Sequence, residues 1–153
     1  MAKKIKLVFD GYFNEKTLPT RGHRNPGIYT VYAGRQLTSR ECEFRELLYI
    51  GEANNVVEQL EAFFKSKKGP ARDKYQELKK QLNTGEILIF AIADVNPADK
   101  EQAVATLIYY HYKYMKLRLP CNRKYKDSFD FSTTSILTCN ENKFLKSQFF
   151  LVD

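Results

Sequence analysis

Ile5, Leu7 and Phe9 take alternate positions between Lys3 and Asp10, the period of a half-buried strand, and Asp10-Gly11 is expected to end it. Residues 14 to 26 have no period: Pro19, Gly22, Asn25 and Pro26 lie among Arg21, His23 and Arg24, which predicts a basic loop. Ile28, Tyr29, Thr30, Val31 and Tyr32 then form a β-branched and aromatic run from Gly27 to Ala33, and Leu47 to Ile50 form another. Both are predicted strands, with Gly34 to Phe44 as a polar connection.

Past Gly51 the period changes. Val56, Val57, Leu60, Phe63 and Phe64 recur at helical spacing behind Asn54 or Asn55 as N-cap. A second helix begins at Pro70, carries Tyr75, Leu78 and Leu82 on its apolar side, and stops near Asn83-Thr84-Gly85. Ile87 to Ala93 is apolar without alternation, as in a central strand covered on both faces. Asn96, Pro97 and Asp99 open a long helix through Val104, Leu107, Ile108, His111, Tyr114 and Met115, ended by Pro120. The tail, Ser132 to Cys139 and Lys143 to Val152 around Asn140-Glu141-Asn142, reads as a hairpin.

These elements imply one domain over residues 1–153, with a core near 27–122, an N-terminal extension over 1–26 and a C-terminal β extension over 128–153. The class is α/β, more narrowly α+β: a small mixed sheet with helices around it. Apolar residues at 43% and charged residues at 28% suit a chain that folds alone. The longest apolar run falls far short of the roughly 20 residues of a membrane helix, and Lys3, Lys4 and Lys6 precede only Leu7-Val8-Phe9. Neither a membrane span nor a secretory signal is expected. Cys42, Cys121 and Cys139 are odd in number and far apart, which fits reduced thiols in the cytoplasm better than a disulfide framework or a zinc site.

Charge narrows the partner. Lys and Arg outnumber Asp and Glu by 25 to 18, a formal net charge of +7, which favours a polyanionic partner such as nucleic acid or an anionic membrane surface, with a merely solvated basic surface as the common alternative. Lys65, Lys67, Lys68, Arg72 and Lys74 straddle the two middle helices, while Arg118, Arg123, Lys124 and Lys126 follow the long one. Lys65, Lys67, Lys68, Arg72, Arg123 and Lys124 are the candidate nucleic-acid contacts.

Gly27-Ile28-Tyr29 on one strand and Tyr49-Ile50-Gly51 on the next, followed by helix, apolar strand, helix and Leu119-Pro120-Cys121-Asn122, resemble the GIY-YIG nuclease superfamily in order over about Gly27 to Asn122. The resemblance implies a three-stranded antiparallel sheet with two tyrosines side by side. It also implies hydrolysis of a DNA phosphodiester: a tyrosine positions the nucleophilic water, a glutamate holds one Mg²⁺ (or Mn²⁺), and an arginine stabilises the phosphate. Tyr29, Tyr49 and Asn122 match that pattern. The arginine position, eight residues past Gly51, is Gln59, and the glutamate position, three residues before Leu107-Ile108, is Val104. Neither residue supplies a cation or a hard-metal ligand.

Two substitutes are in reach. Glu101 lies about 4.5 Å along the helix axis from Val104 on roughly the same face, as a displaced metal ligand or a solvated acid. Arg45, four residues before Tyr49, offers a guanidinium from another backbone position, as do Arg40 and Arg35. The reading is a DNA-binding GIY-YIG domain with cleavage lost or weakened. The alternatives are a diverged active endonuclease of restriction or mobile-element type, or a scaffold used for protein interaction.

Overall fold

The computed structural model describes residues 3–20, 22–38, 41–113, 116, 118–122 and 134–140. In chain order the elements are β1 Lys3–Phe13, β2 Gly27–Gln36, β3 Cys42–Ala53, α1 Val56–Lys65, α2 Pro70–Lys79, β4 Ile87–Asp94, α3 Lys100–Lys113 and β5 Thr134–Asn140. Among the described residues they form one five-stranded sheet in the order β3-β2-β4-β1-β5. The strands β3, β2, β4 and β1 pair antiparallel with one another in that order, and β5 lies parallel to β1. The sheet is therefore wider than the three strands expected.

Alternation along β2 distributes two cores to the two faces. Ile28 and Tyr32 join Ile5, Leu7, Phe9, Ile89 and Ala91 under α3, with Ala103, Leu107 and Ile108. Tyr29, Val31 and Ala33 join Leu48, Leu88, Phe90 and Ile92 under α1 and α2, with Val57, Leu60, Phe63 and Leu78. Ile87–Asp94 serves both faces, so every residue from Leu88 to Ala93 is buried, as its unbroken apolar run predicts. The side chain of Asn55, not Asn54, accepts the Glu58 N–H at 3.0 Å and fixes the start of α1. Gly85, at φ +83°, supplies the left-handed turn between α2 and β4.

Two expectations are corrected. β1 does not stop at Asp10-Gly11: it runs to Phe13 with a register shift between Gly11 and Phe13. Glycine permits this because a Cβ there would sit 3.1 Å from the Phe90 carbonyl oxygen and 3.3 Å from the Ala91 Cα. Pairing with β4 also makes this strand an integral member of the sheet. The polar connection expected over 34–44 is also largely strand, since β2 and β3 continue into it, and Leu37 N–H donates to Glu41 O at 2.9 Å between them. Its polar residues hid a strand with one wet face: exposed Glu43 and Arg45 alternate with half-buried Cys42, Phe44 and Glu46. Phe44 packs edge-on against Tyr12 and tilted against Tyr32, with ring centroids at 4.5 and 4.8 Å.

Of the expected terminal hairpin, the first segment is β5, paired with β1 from Lys3↔Thr134 to Phe9↔Asn140; the second segment lies outside the described residues. No helix among the described residues is long and apolar enough to cross a membrane.

Candidate nucleic-acid interface at the tyrosine pair

Antiparallel pairing puts Tyr29 opposite Gly51 and Val31 opposite Tyr49, so the two tyrosines are diagonal neighbours on the face under α1 and α2. Their ring centroids are 5.9 Å apart, tilted by 51°. Gly51 makes this possible by leaving its side-chain space to both rings: a Cβ would fall 2.4 Å from Tyr29 Cζ and 2.6 Å from Tyr49 Cε2. Tyr29 is 2% exposed and meets Phe63 of α1 at 6.0 Å, edge to face, whereas Tyr49 is only half-buried. Burial first, then the Tyr49 hydroxyl and the Glu52 charge, push the Tyr29 hydroxyl well above its ordinary value. Tyr29 therefore stays a neutral phenol at physiological pH, a hydrogen-bond donor rather than a base.

Asn122, which follows α3 in the chain, binds the edge of β3 beside Tyr49. Its side-chain amide accepts the Ile50 N–H at 2.8 Å and donates to the Ile50 carbonyl at 2.9 Å, the two bonds that a neighbouring strand would make on edge strand β3. Cys121 N–H donates to Leu48 O at 3.1 Å, so the segment around Pro120 lies along the strand that carries Tyr49. The Cys121 thiol is buried against α2 and pushed up to about 11, chiefly by that burial, so it is no nucleophile.

Among the described residues, α2 brings a cation to this arrangement. Lys74 Nζ stands 4.5 Å from the Tyr49 ring centroid, donates to Cys121 O at 3.0 Å, and pairs with Glu77 at 3.0 Å. In sequence Lys74 is one member of a basic cluster on an exposed-looking helix. What singles it out is where α2 docks, which no local pattern encodes. Glu52, directly after the Tyr-Ile-Gly run, was likewise not among the expected site residues.

The remaining candidates are dispersed. Arg45 is committed elsewhere: Nε contacts both Glu86 carboxylate oxygens at 2.9 and 2.8 Å, and a terminal nitrogen donates to Gln81 O at 2.6 Å. The Glu86 side chain is 4% exposed, and the guanidinium holds its carboxyl below the usual range. Arg118 in turn pairs with Glu46 at 2.8 Å and lowers that carboxyl. Gln59 lies half-buried on α1 and brings no charge. Val104 packs against the core under α3, the opposite face of the sheet from Tyr29 and Tyr49. Glu101 is exposed in the first turn of α3. Lys65 is exposed and tied to Glu61 at 2.8 Å, Lys67 and Lys68 are exposed in the turn after α1, and Arg72 lies over the Tyr75 ring at 5.3 Å. Arg123 and Lys124 lie outside the described residues.

Val104, at the position where the resemblance implies the metal-binding glutamate, is apolar and packs on the face of the sheet opposite Tyr29 and Tyr49, so that position offers no oxygen ligand.

His23, in the basic loop before β2, is bound between two carboxylates. Its Nε2 lies 3.0 Å from Asp10 Oδ2 and its Nδ1 3.0 Å from Asp94 Oδ1, tying the loop to Asp10 within β1 and to Asp94 at the end of β4. Burial pulls its pKa down, but hydrogen bonds to Asp94 and Asp10 outweigh this, so the net shift is upward from 6.5. A raised folded-state pKa means the clamp contributes stability fully below about 6.5 and loses it as pH rises through the folded-state value. Denaturant midpoints are therefore expected to fall between pH 6 and pH 8 in the wild type, and the fall should shrink in His23→Gln; equal pH dependence in both proteins would remove the clamp from the account. His111, by contrast, is buried, donates from Nδ1 to Leu107 O at 2.6 Å, and is held below its ordinary pKa by burial.

Comparison of the chain with protein-family models, with curated proteins and with solved structures gives no match in any of the three.

Proposed function

We propose that the chain is a DNA-binding domain of GIY-YIG type in which phosphodiester hydrolysis is lost or much weakened, working in the reducing cytoplasm. The observation that carries the reading is the tyrosine pair over Gly51. It keeps the paired phenols while Gln59 is uncharged and Val104 is apolar and on the other face of the sheet.

Hydrolysis needs an activated water and a cation set against the growing phosphate charge. A neutral, enclosed Tyr29 does not take the proton, and Arg45 already neutralises Glu86. Binding needs less: an accessible aromatic, a backbone-facing cation and a favourable overall charge, supported here by Tyr49, Lys74, the exposed Lys67 and Lys68, and the net +7.

Supercoiled plasmid incubated with purified protein and Mg²⁺ or Mn²⁺ tests this. The expected result is retarded migration without conversion to nicked or linear forms. Robust metal-dependent nicking would replace this reading with that of an active endonuclease, and its loss in Glu101→Ala would then place the metal on α3.

A further inference from the structure

We propose that Lys74 is the phosphate-binding cation of the tyrosine face, and that Glu77 occupies the position a DNA phosphate takes in the complex. The inference rests on the DNA-binding reading above and names the group that performs it.

Lys74 is held at the tyrosine face, whereas Lys65, Arg72 and Lys79 of the middle helices contact Glu61 or the Tyr75 ring. Its side chain is 26% exposed, against 75% for Lys65, and its ammonium has three donors to place. One goes to Cys121 O, a carbonyl whose residue is fixed by its own N–H on Leu48 and by the adjacent Asn122 amide on Ile50. A second side of the ammonium faces the Tyr49 ring. Both are built parts of the protein and position the charge beside the accessible tyrosine.

The third partner is of another kind. Glu77 lies three residues along the same helix, and its carboxylate is 46% exposed at the end of a flexible side chain. Exposed pairs of this sort are weak, because water solvates both ions nearly as well. A phosphate oxygen arriving from solvent can displace the carboxylate while the carbonyl and the ring still hold the ammonium. The exchange trades one anion for another and leaves no buried charge unpaired. Lys74 from α2 thus stands in for the cation that Gln59 on α1 lacks.

Opposite effects of the two side chains are the signature. Fluorescence anisotropy with labelled duplex DNA across a salt series should show Lys74→Gln binding about fivefold or more weakly at low salt, with a salt slope shallower by about 1. Lys74→Arg should retain most of the affinity. Glu77→Gln should bind more tightly than wild type, and more tightly than Glu41→Gln, which removes one negative charge from the exposed turn between β2 and β3. Wild-type binding with an unchanged Lys74→Gln slope would overturn the assignment of Lys74 while leaving DNA binding intact. Equal affinities for Glu77→Gln and Glu41→Gln would overturn the placeholder. No salt-dependent binding by the wild type would overturn the functional reading itself. If Lys74→Gln fails to fold, Glu77→Gln decides, since it leaves the ammonium in place.

Discussion

Gly51→Ala is expected to destabilise the protein by about 1–3 kcal/mol and to weaken DNA binding in the folded fraction. The added Cβ would meet Tyr29 Cζ at 2.4 Å, Tyr29 Oη at 2.6 Å and Tyr49 Cε2 at 2.6 Å, where carbon contacts settle near 3.5–4.0 Å. Tyr29 cannot retreat because its ring is 2% exposed and packed on Phe63. Tyr49 yields instead, and with it the ring on which Lys74 is seated. Thermal unfolding and anisotropy on the same preparation separate the two effects. A variant with wild-type midpoint and wild-type affinity would mean that the rings are not held as described.

Phe63→Ala is expected to cost more stability, about 3–5 kcal/mol, because it removes a fully buried aromatic and leaves a cavity between α1 and the sheet. Phe63 is 1% exposed within the core that contains Tyr29, Leu60 and Phe90. Urea unfolding should show a lower midpoint with an unchanged slope, the mark of lost stability rather than a changed unfolded state. A loss below 1 kcal/mol would place Phe63 outside the core. The comparison with Gly51→Ala is informative: one change opens space behind Tyr29 and the other crowds its front, so both should loosen the tyrosine pair.

Much of this architecture can be read along the chain where a single face decides burial. Val56, Val57, Leu60 and Phe63 repeat at helical spacing because one stripe of α1 meets the sheet, and Leu88 to Ala93 are apolar throughout because β4 is covered twice. The first half of β3 was hidden by its own solvent face, since Glu43 and Arg45 look like loop residues until their alternation with Cys42 and Phe44 is placed beside β2. Gly11 looked like a strand end because the close approach of β4 that requires it is a long-range contact.

The candidate site was legible in the same measure. Two tyrosines side by side on adjacent strands and an asparagine after the long helix are what the resemblance implies, and the structure brings Tyr29, Tyr49 and Asn122 to β2 and β3. Periodicity shows that α3 has an apolar stripe, but not which side of the sheet receives it. That choice separates Val104 from the tyrosines. Arg45 was a candidate because its charge was visible, whereas Glu86, which absorbs that charge, is 41 residues away. Lys74 is the converse: an unremarkable lysine in sequence, it becomes the cation at Tyr49 through tertiary docking of α2 against Cys121.

The central claim is that this chain binds DNA through charge on the tyrosine face. Its most direct test is the dissociation constant of the wild-type protein for a labelled duplex, measured from 50 to 200 mM salt. The account predicts saturable binding whose logarithm falls linearly with the logarithm of salt concentration; binding that is absent at low salt, or present but indifferent to salt, would contradict it.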